Sequence, residues 1–459
     1  MAHPTAVIVV VGLTPALIGD TAPRLRRLAE SGTRRRLVPV LPAVTCSVQS
    51  SMWTGEPPCR HGIVGNGWYN RELAEVQFWK QSNRLVGGEK VWEAARRRDP
   101  SVTSANIFCW YNMYSSVDWS VTPRPMYKAD GRKLPDVYSA PPELRHRLQD
   151  ELGTFPLFDF WGPRSSIRSS QWIADAARIV HSTYEPTLTL VYLPHLDYVL
   201  QRFGPQHTSI PAAVAEIDAV VGSLLDYFET CDVRVLVVSE YGIEPVDDAV
   251  HINRILREDG AMRVRDEQDL ELLDAGASRA FAVADHQVAH VYVHDPDDVP
   301  RFRDLCREID GVEQVLDIEG QTSARLNHAR AGELVLVSAP RRWFSYDYWL
   351  DDARAPDFAR TVDIHRKPGY DPLELFVDPA LRMVGLRMGW KLLRNALGFR
   401  TLFDVIPLDT RLVRGSHGRV AQPTEAAPLL IAPGDLSDLP EPLPCTAVRD
   451  VILDSLFQQ

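Results

Sequence analysis

Apolar residues in this chain gather into short unbroken runs separated by longer stretches of mixed character. Four runs, "AVIVVVGL" (6–13), "LTLVYLPHL" (188–196), "VRVLVVSEYGI" (233–243) and "HVYVH" (290–294), read as strands buried on both faces. Between them apolar positions recur at helical spacing, as in "APRLRRLAESG", "SQWIADAARIVHSTY" and "IPAAVAEIDAVVGSLLDYFE". In the last of these, Ile210, Val214, Ile217, Val221 and Leu224 share one helical face. Strands alternating with helices of this length predict an α/β fold, with a central, mainly parallel sheet sandwiched by helices. In such a sheet the chemistry collects in the loops at the carboxyl ends of the strands.

Two regions interrupt the alternation. Residues 67–165 are dense in Trp, Tyr, Pro and Gly, as in "FCWYNMYSSVDW" and "FPLFDFWGP". That density predicts either an aromatic-rich lid of ordered loops or rings that fill the core beneath them. Residues 340–408 form a second insertion with "DIHRKPGYDPLELF" and the basic amphipathic run "ALRMVGLRMGWKLLRNALGFR". In that run Arg382, Lys391 and Arg394 accompany Met383, Leu386, Trp390 and Leu393. It reads as a helix docked on the body or in a homodimer contact, in preference to one lying on a membrane surface.

Composition narrows the classes. A chain of 459 residues is long enough for one large domain, 1–459, that carries both insertions. A net charge of −11, with acidic and basic residues interspersed, argues against a general affinity for nucleic acid. The six cysteines (46, 59, 109, 231, 306 and 445) form no CxxC pair, which disfavours a structural zinc cluster and fits reduced thiols in the cytoplasm. The apolar run at 7–13 is about half the length of a membrane span, so none is expected.

Candidate chemistry sits in four separated segments. In "LPAVTCSVQSSMWTGEPPCRHGIVGN", Thr45 stands between a strand and a helix, where backbone N–H groups and the helix dipole favour a phosphoryl group. A helix N-cap is the plainer reading of that Thr. Asn66 follows a glycine-rich turn and offers an amide donor. In "YLPHLDYVLQRFGP", Asp197 and Gln201 stand four apart. "VVSEYGI" ends a buried strand with Glu240 and Tyr241, and "VRGSHGR" sets His417 between glycines.

Together these segments resemble the alkaline-phosphatase superfamily, in its nucleotide pyrophosphatase/phosphodiesterase branch, over roughly residues 5 to 420. The resemblance implies a Thr nucleophile and two metal ions, usually zinc, held by three Asp and three His. Carried over position by position, Thr45 matches the nucleophile and Asn66 the residue that helps hold the phosphoryl oxygen. Asp197 and His417 match ligands of the second metal, and Gln201 stands where that site has a His. At the first metal, Val11 replaces an Asp, Glu240 replaces an Asp and Tyr241 replaces a His.

Valine binds no cation, and an amide is a poor zinc ligand beside imidazole. A two-zinc centre is therefore not expected. Three readings stay open: one divalent ion (Mg²⁺, Mn²⁺ or Zn²⁺) on Asp197, Glu240 and the Gln201 oxygen; a metal-free site using Tyr241, His417 and nearby Arg or Lys; or an inactive relative that only binds. "FAVADHQVAHVYV" adds Asp285, His286 and His290 as substitutes, with at least one His expected to be structural. "TPRPMYKADGRK" offers Arg124 and Lys128 to an anionic substrate. "DIHRKPGYD" is either a phosphate clamp or a surface turn. The expectation is phosphoryl transfer on a small-molecule phosphodiester, pyrophosphate or phosphomonoester through Thr45. The alternatives are a binding pseudoenzyme, or a lyase or isomerase acting on a phosphorylated metabolite.

Overall fold

A run of six buried, mostly β-branched residues can leave neither face in water, and Thr5–Val10 accordingly lies inside a sheet. The computed structural model describes residues 2–420, 425–434 and 436–458. In it this strand pairs in parallel with Leu188–Leu193 on one side and Arg234–Val238 on the other. Ser104–Ile107 and Trp119–Pro123 extend the parallel set, and Val137–Ala140 closes that edge antiparallel. Towards the other edge come Leu429–Ala432, entering antiparallel, then Thr33–Val38 and Leu443–Pro444. These make a nine-stranded, mainly parallel sheet among the described residues.

Helices flank it. Ile210–Thr230 buries Ile210, Val214, Ile217, Val221 and Leu224, the face its periodicity marks. It packs with Ile167–Tyr184 and Pro23–Ser31. From its buried side Asp218 accepts from the backbone N–H groups of Arg24 (3.1 Å) and Leu25 (2.8 Å), donors that the start of Pro23–Ser31 leaves unpaired. Thr45–Thr54, Val91–Arg98 and Val448–Phe457 pack as a second group. Among the described residues no helix is long and apolar enough to cross a membrane.

Three expectations change. "HVYVH" falls in the strand Val288–Val293 of a separate antiparallel sheet, with Ala280–Asp285, Leu334–Ser338 and Val312–Leu316. An apolar run buried on both faces carries no mark of which sheet it joins, so its pattern was blind to this. Residues 67–165 do not stand apart as a lid, because three strands of the central sheet come from 104–140. The described strands of this region that lie outside that sheet form a hairpin of Gly67–Asn70 with Glu75–Phe78 and another of Met126–Tyr127 with Lys133–Leu134. Third, the helix Val384–Ala396 is not docked by its apolar stripe and has no buried residue.

Two local devices aim the smaller sheet and the second insertion at the main domain. Asp285 pairs with Val288, so the chain reverses in two residues, His286 and Gln287, with His286 in the left-handed region at φ 61°. In the insertion, the buried Lys367 Nζ donates to Asp371 (2.6 Å) and the Thr361 carbonyl (2.8 Å) and pairs with Glu374 (2.8 Å). A Cβ at Gly369 would lie 2.4 Å from Tyr346 Cβ, so this close approach needs glycine, and it carries the next residue, Tyr370, inward. Lys367→Met would leave two buried carboxyls without their cation. It is expected to lower folding stability by about 3–5 kcal/mol in denaturant titration, whereas Arg147→Met, from the exposed Arg147–Glu151 pair, should stay below about 1 kcal/mol.

Candidate active site

The strand Leu188–Leu193 leaves the sheet through Pro194 into the helix His195–Phe203, which carries Asp197 and Gln201 one turn apart. Next but one in the sheet, Arg234–Val238 runs out into Glu240 and Tyr241. Thr45 opens the helix Thr45–Thr54 with Val44 as its N-cap. Its hydroxyl is therefore not a cap; it lies 2.9 Å from the hydroxyl of Tyr241. His417 arrives on a loop stitched from both sides. Gln287 N–H donates to the His417 carbonyl (2.8 Å) and Ala43 N–H to the Gly418 carbonyl (2.7 Å).

These groups close into a ring of contacts around one carboxyl group. Asp197 Oδ2 accepts from the Gln201 amide (2.8 Å), and Gln201 Oε1 accepts from the Tyr370 hydroxyl (2.8 Å). Tyr370 stacks on His286 (3.6 Å between centroids), His286 on His417 (3.7 Å), and His417 on Tyr241 (3.6 Å, planes 7° apart). Tyr241 donates back to Asp197 Oδ1 (3.3 Å). Beneath the ring, Glu240 accepts from Gln49, whose own carbonyl takes the Trp110 N–H (2.7 Å).

Burial sets the protonation states. It raises the Asp197 carboxyl to about 7, against the pull of Gln201 and Tyr241, and pushes Glu240 well above the usual carboxylate range. Asp285 is likewise raised to about 7 by burial. Burial lowers His417 to about 3 and His286 well below its ordinary value, so both rings are neutral. His417 Nδ1–H donates to the Ala43 carbonyl (2.8 Å), which leaves Nε2 as a bare lone pair, buried and unpartnered, 3.8 Å from Asp197 Oδ1.

A two-zinc centre does not fit these residues. Val11 is a fully buried hydrocarbon, Tyr241 is a neutral phenol lodged between Thr45 and Asp197, and Gln201 turns its oxygen away to Tyr370. Among the described residues no three His, Cys, Asp or Glu side chains are grouped to hold a metal ion. Glu240, expected as a ligand, gives one oxygen to Gln49, while its Oε2 is buried without a partner. The unpartnered Nε2 of His417 facing Asp197 does fit a single ion, as two donors of an incomplete shell.

The other predicted residues divide. Asn66 is at the site, but it is engaged there: Oδ1 accepts from Cys46 N–H (3.0 Å), while its own N–H and amide donate to Asp285 (2.7 and 3.0 Å). His286 joins the ring stack. His290 does not; it donates to the Val64 carbonyl (2.9 Å) and accepts from Gly332 N–H (3.1 Å), as a satisfied core histidine does. Arg124 and Lys128 lie exposed on the Met126–Leu134 hairpin and its approach. The "DIHRKPGYD" cluster is no phosphate clamp, because Lys367 and Asp371 are buried against each other. Among the described residues no Arg or Lys is hydrogen-bonded to Thr45, Asp197, Glu240, Tyr241 or His417, contrary to the cationic help expected of a metal-free site. Sequence reading missed Gln49 and Tyr370. Gln49 stands four residues after Thr45 on the same helix, a spacing that marks it. Tyr370 has no such local signal.

Comparison with known proteins shows the family and the fold. The profile of the type I phosphodiesterase / nucleotide pyrophosphatase family matches residues 5–371. An uncharacterised pyrophosphatase/phosphodiesterase of Schizosaccharomyces pombe is 24% identical over 238 residues, which are 49% of this chain and 41% of that protein. The chain thus matches less than half the length of that relative. Phosphonoacetate hydrolase of Sinorhizobium meliloti, solved with phosphonoformate, superposes with a TM-score of 0.61 at 16% identity, covering 99% of this chain and 95% of that one. Murine ectonucleotide pyrophosphatase/phosphodiesterase 5 gives 0.56 at 12% identity, covering 98% and 94%. At such identities these two structures speak for the fold.

The raised carboxyls make stability depend on pH. Between the ordinary aspartate pKa and about 7, the unfolded chain gives up the Asp197 proton while the folded one keeps it. Folding is therefore most favoured below that window and weakens as pH rises through it. Asp197→Asn removes this group's titration. Its melting temperature relative to the parent should rise between pH 5 and pH 8, in roughly the window those pKa values set.

Proposed function

We propose that this chain, which belongs to the type I phosphodiesterase / nucleotide pyrophosphatase family, transfers the phosphoryl group of a small-molecule phosphate ester to Thr45. The carrying observation is the run of oxygens from Thr45 through Tyr241 to Asp197. An ionised Asp197 only accepts, so the phenol proton points to it and the phenol oxygen is left to accept from Thr45. As Thr45 Oγ bonds to phosphorus and the ester oxygen departs, the Thr45 proton passes to Tyr241 and the Tyr241 proton to Asp197. With a pKa of about 7, Asp197 is matched to taking that proton and to returning it through Tyr241 to the Thr45 oxygen when water later displaces it from phosphorus, the ester oxygen having left as its anion. The positive end of the helix Thr45–Thr54 and the second N–H of the Asn66 amide are the stabilisers at hand for the phosphoryl oxygens.

Thr45 and Asp197 are 4% and 6% exposed, so substrate enters by displacing neighbours. Trp79, which faces Trp110 and Tyr370, and Trp161, which faces Tyr370 and Tyr198, supply ring faces for a planar or apolar leaving group. None of the six cysteines is in a disulfide, in keeping with residence in the cytoplasm.

A second reading is favoured by the bare His417 Nε2 opposite Asp197. There the two residues would hold one divalent cation completed by the substrate's own phosphate oxygens, and it would neutralise phosphoryl charge. The readings part on a chelator: EDTA leaves the relay working and abolishes the cation-dependent activity.

The direct test is turnover of p-nitrophenyl phosphodiesters, phosphomonoesters and nucleotide pyrophosphates by purified protein. Thr45→Val should reduce kcat to background, and Tyr241→Phe should lower it by about a hundredfold or more. For the parent, kcat/KM should climb with pH through about 7 as Asp197 loses its proton. Binding of these esters without turnover, with or without added Mg²⁺, Mn²⁺ or Zn²⁺, would make the protein a non-catalytic binder.

A further inference from the structure

The helix Val384–Ala396 is mounted back to front for a surface helix of a globular protein. Its inward side is the stripe Val384, Met388, Lys391 and Asn395, the partly covered positions, at spacings of four, three and four. Lys391 and Arg387 pair with Asp404 and hold the helix in this attitude. The opposite stripe, Leu386, Trp390, Leu393 and Leu397, is the more apolar one, and it is between 49% and 67% exposed. Met383 and Phe399 extend it at either end. A helix held to its body by folding alone would present these stripes the other way round.

The charge around this stripe is as distinctive as its exposure. Between Asp378 and Asp404 there are five basic residues (Arg382, Arg387, Lys391, Arg394 and Arg400) and no acidic one, in a protein of net charge −11. Arg387 and Arg394 flank the apolar stripe on the helix, where long side chains reach past a hydrocarbon boundary to anionic groups. The patch continues onto the neighbouring hairpin, to which Arg400 is tied by its bond to the Ala129 carbonyl (2.7 Å). There Met126 and Tyr127 are exposed beside Lys128, with Arg132 paired to Asp130 (2.7 Å).

We infer that this face docks on an anionic lipid bilayer, with Leu386, Trp390, Leu393 and Leu397 entering the headgroup boundary and the flanking basic residues meeting lipid phosphates. A second copy of the chain would have to bring its own Arg382, Arg394 and Arg400 against these, which like-charge repulsion opposes. The proposal stands apart from the phosphoryl-transfer reading, since lipid binding needs none of the Thr45 site.

Vesicle flotation of the full chain tests it. The parent should float with vesicles of equal phosphatidylglycerol and phosphatidylcholine at least about tenfold more than with phosphatidylcholine alone, and should be released in roughly 1 M salt. Trp390→Ser with Leu393→Ser should lose the interaction while keeping the parent's melting curve, because both positions are exposed. Arg382→Glu with Arg394→Glu, which leaves both Asp404 pairs in place, should lose the preference for anionic lipid. Failure of the parent to float, or equal flotation of the serine variant, overturns the inference. So does a dimer in light scattering that the serine variant abolishes without any vesicle binding, which would give the face to a second copy.

Discussion

One carboxyl group sealed from water organises the site. Asp197 is the point at which a helix, a strand end, a hairpin tip, an insertion and a late loop meet, through Gln201, Tyr241, His286, Tyr370 and His417. Desolvation alone would drive this group to neutrality. The amide of Gln201 and the phenol of Tyr241 bring it back to a pKa of about 7, where it can change state under ordinary conditions. Removing either donor would push the carboxyl further towards its neutral form. Add a cation opposite His417 Nε2 and it becomes a fixed anion.

The same balance accounts for what has replaced the family's metal chemistry. Two divalent ions would neutralise a cluster of carboxylates; where no cation sits, burial instead raises the proton affinity of Asp197, Glu240 and Asp285. Val11 and Tyr241 are consistent with that solution. A buried hydrocarbon stands at Val11, and the Tyr241 phenol lies within hydrogen-bond reach of both Thr45 and Asp197. The histidines, too acidic in burial to hold charge, act as flat neutral spacers in a stack.

The large sheet and the small one divide the labour. Two parallel strands on either side of Thr5–Val10 deliver Asp197, Glu240 and Tyr241 at their carboxyl ends, where such sheets collect chemistry. The antiparallel sheet contributes a single hairpin tip, and there His286 accepts a left-handed backbone to reach its two ring partners. The buried Lys367 triad then holds the insertion that seats Tyr370 on Gln201. Meanwhile the exposed helix beyond it turns its apolar stripe outward, so the insertion has one end in the site and the other available to a surface.

Local pattern was enough for much of this. Uninterrupted apolar runs marked the central strands, helical spacing marked the buried face of Ile210–Thr230, and spaced polar residues at strand ends marked Thr45, Asp197, Glu240, Tyr241 and His417, because periodicity and strand-end position are properties of neighbouring residues. The family, too, was readable from those segments. What only the tertiary structure decided are contacts between residues far apart in the chain. Those contacts give the strand holding His290 to a second sheet, put Gln201 on Tyr370 instead of a metal, pair Lys367 with Glu374 away from any phosphate, and turn Leu386 and Trp390 outward. Such partners are chosen by packing and desolvation summed over the whole fold, and no stretch of sequence carries that sum.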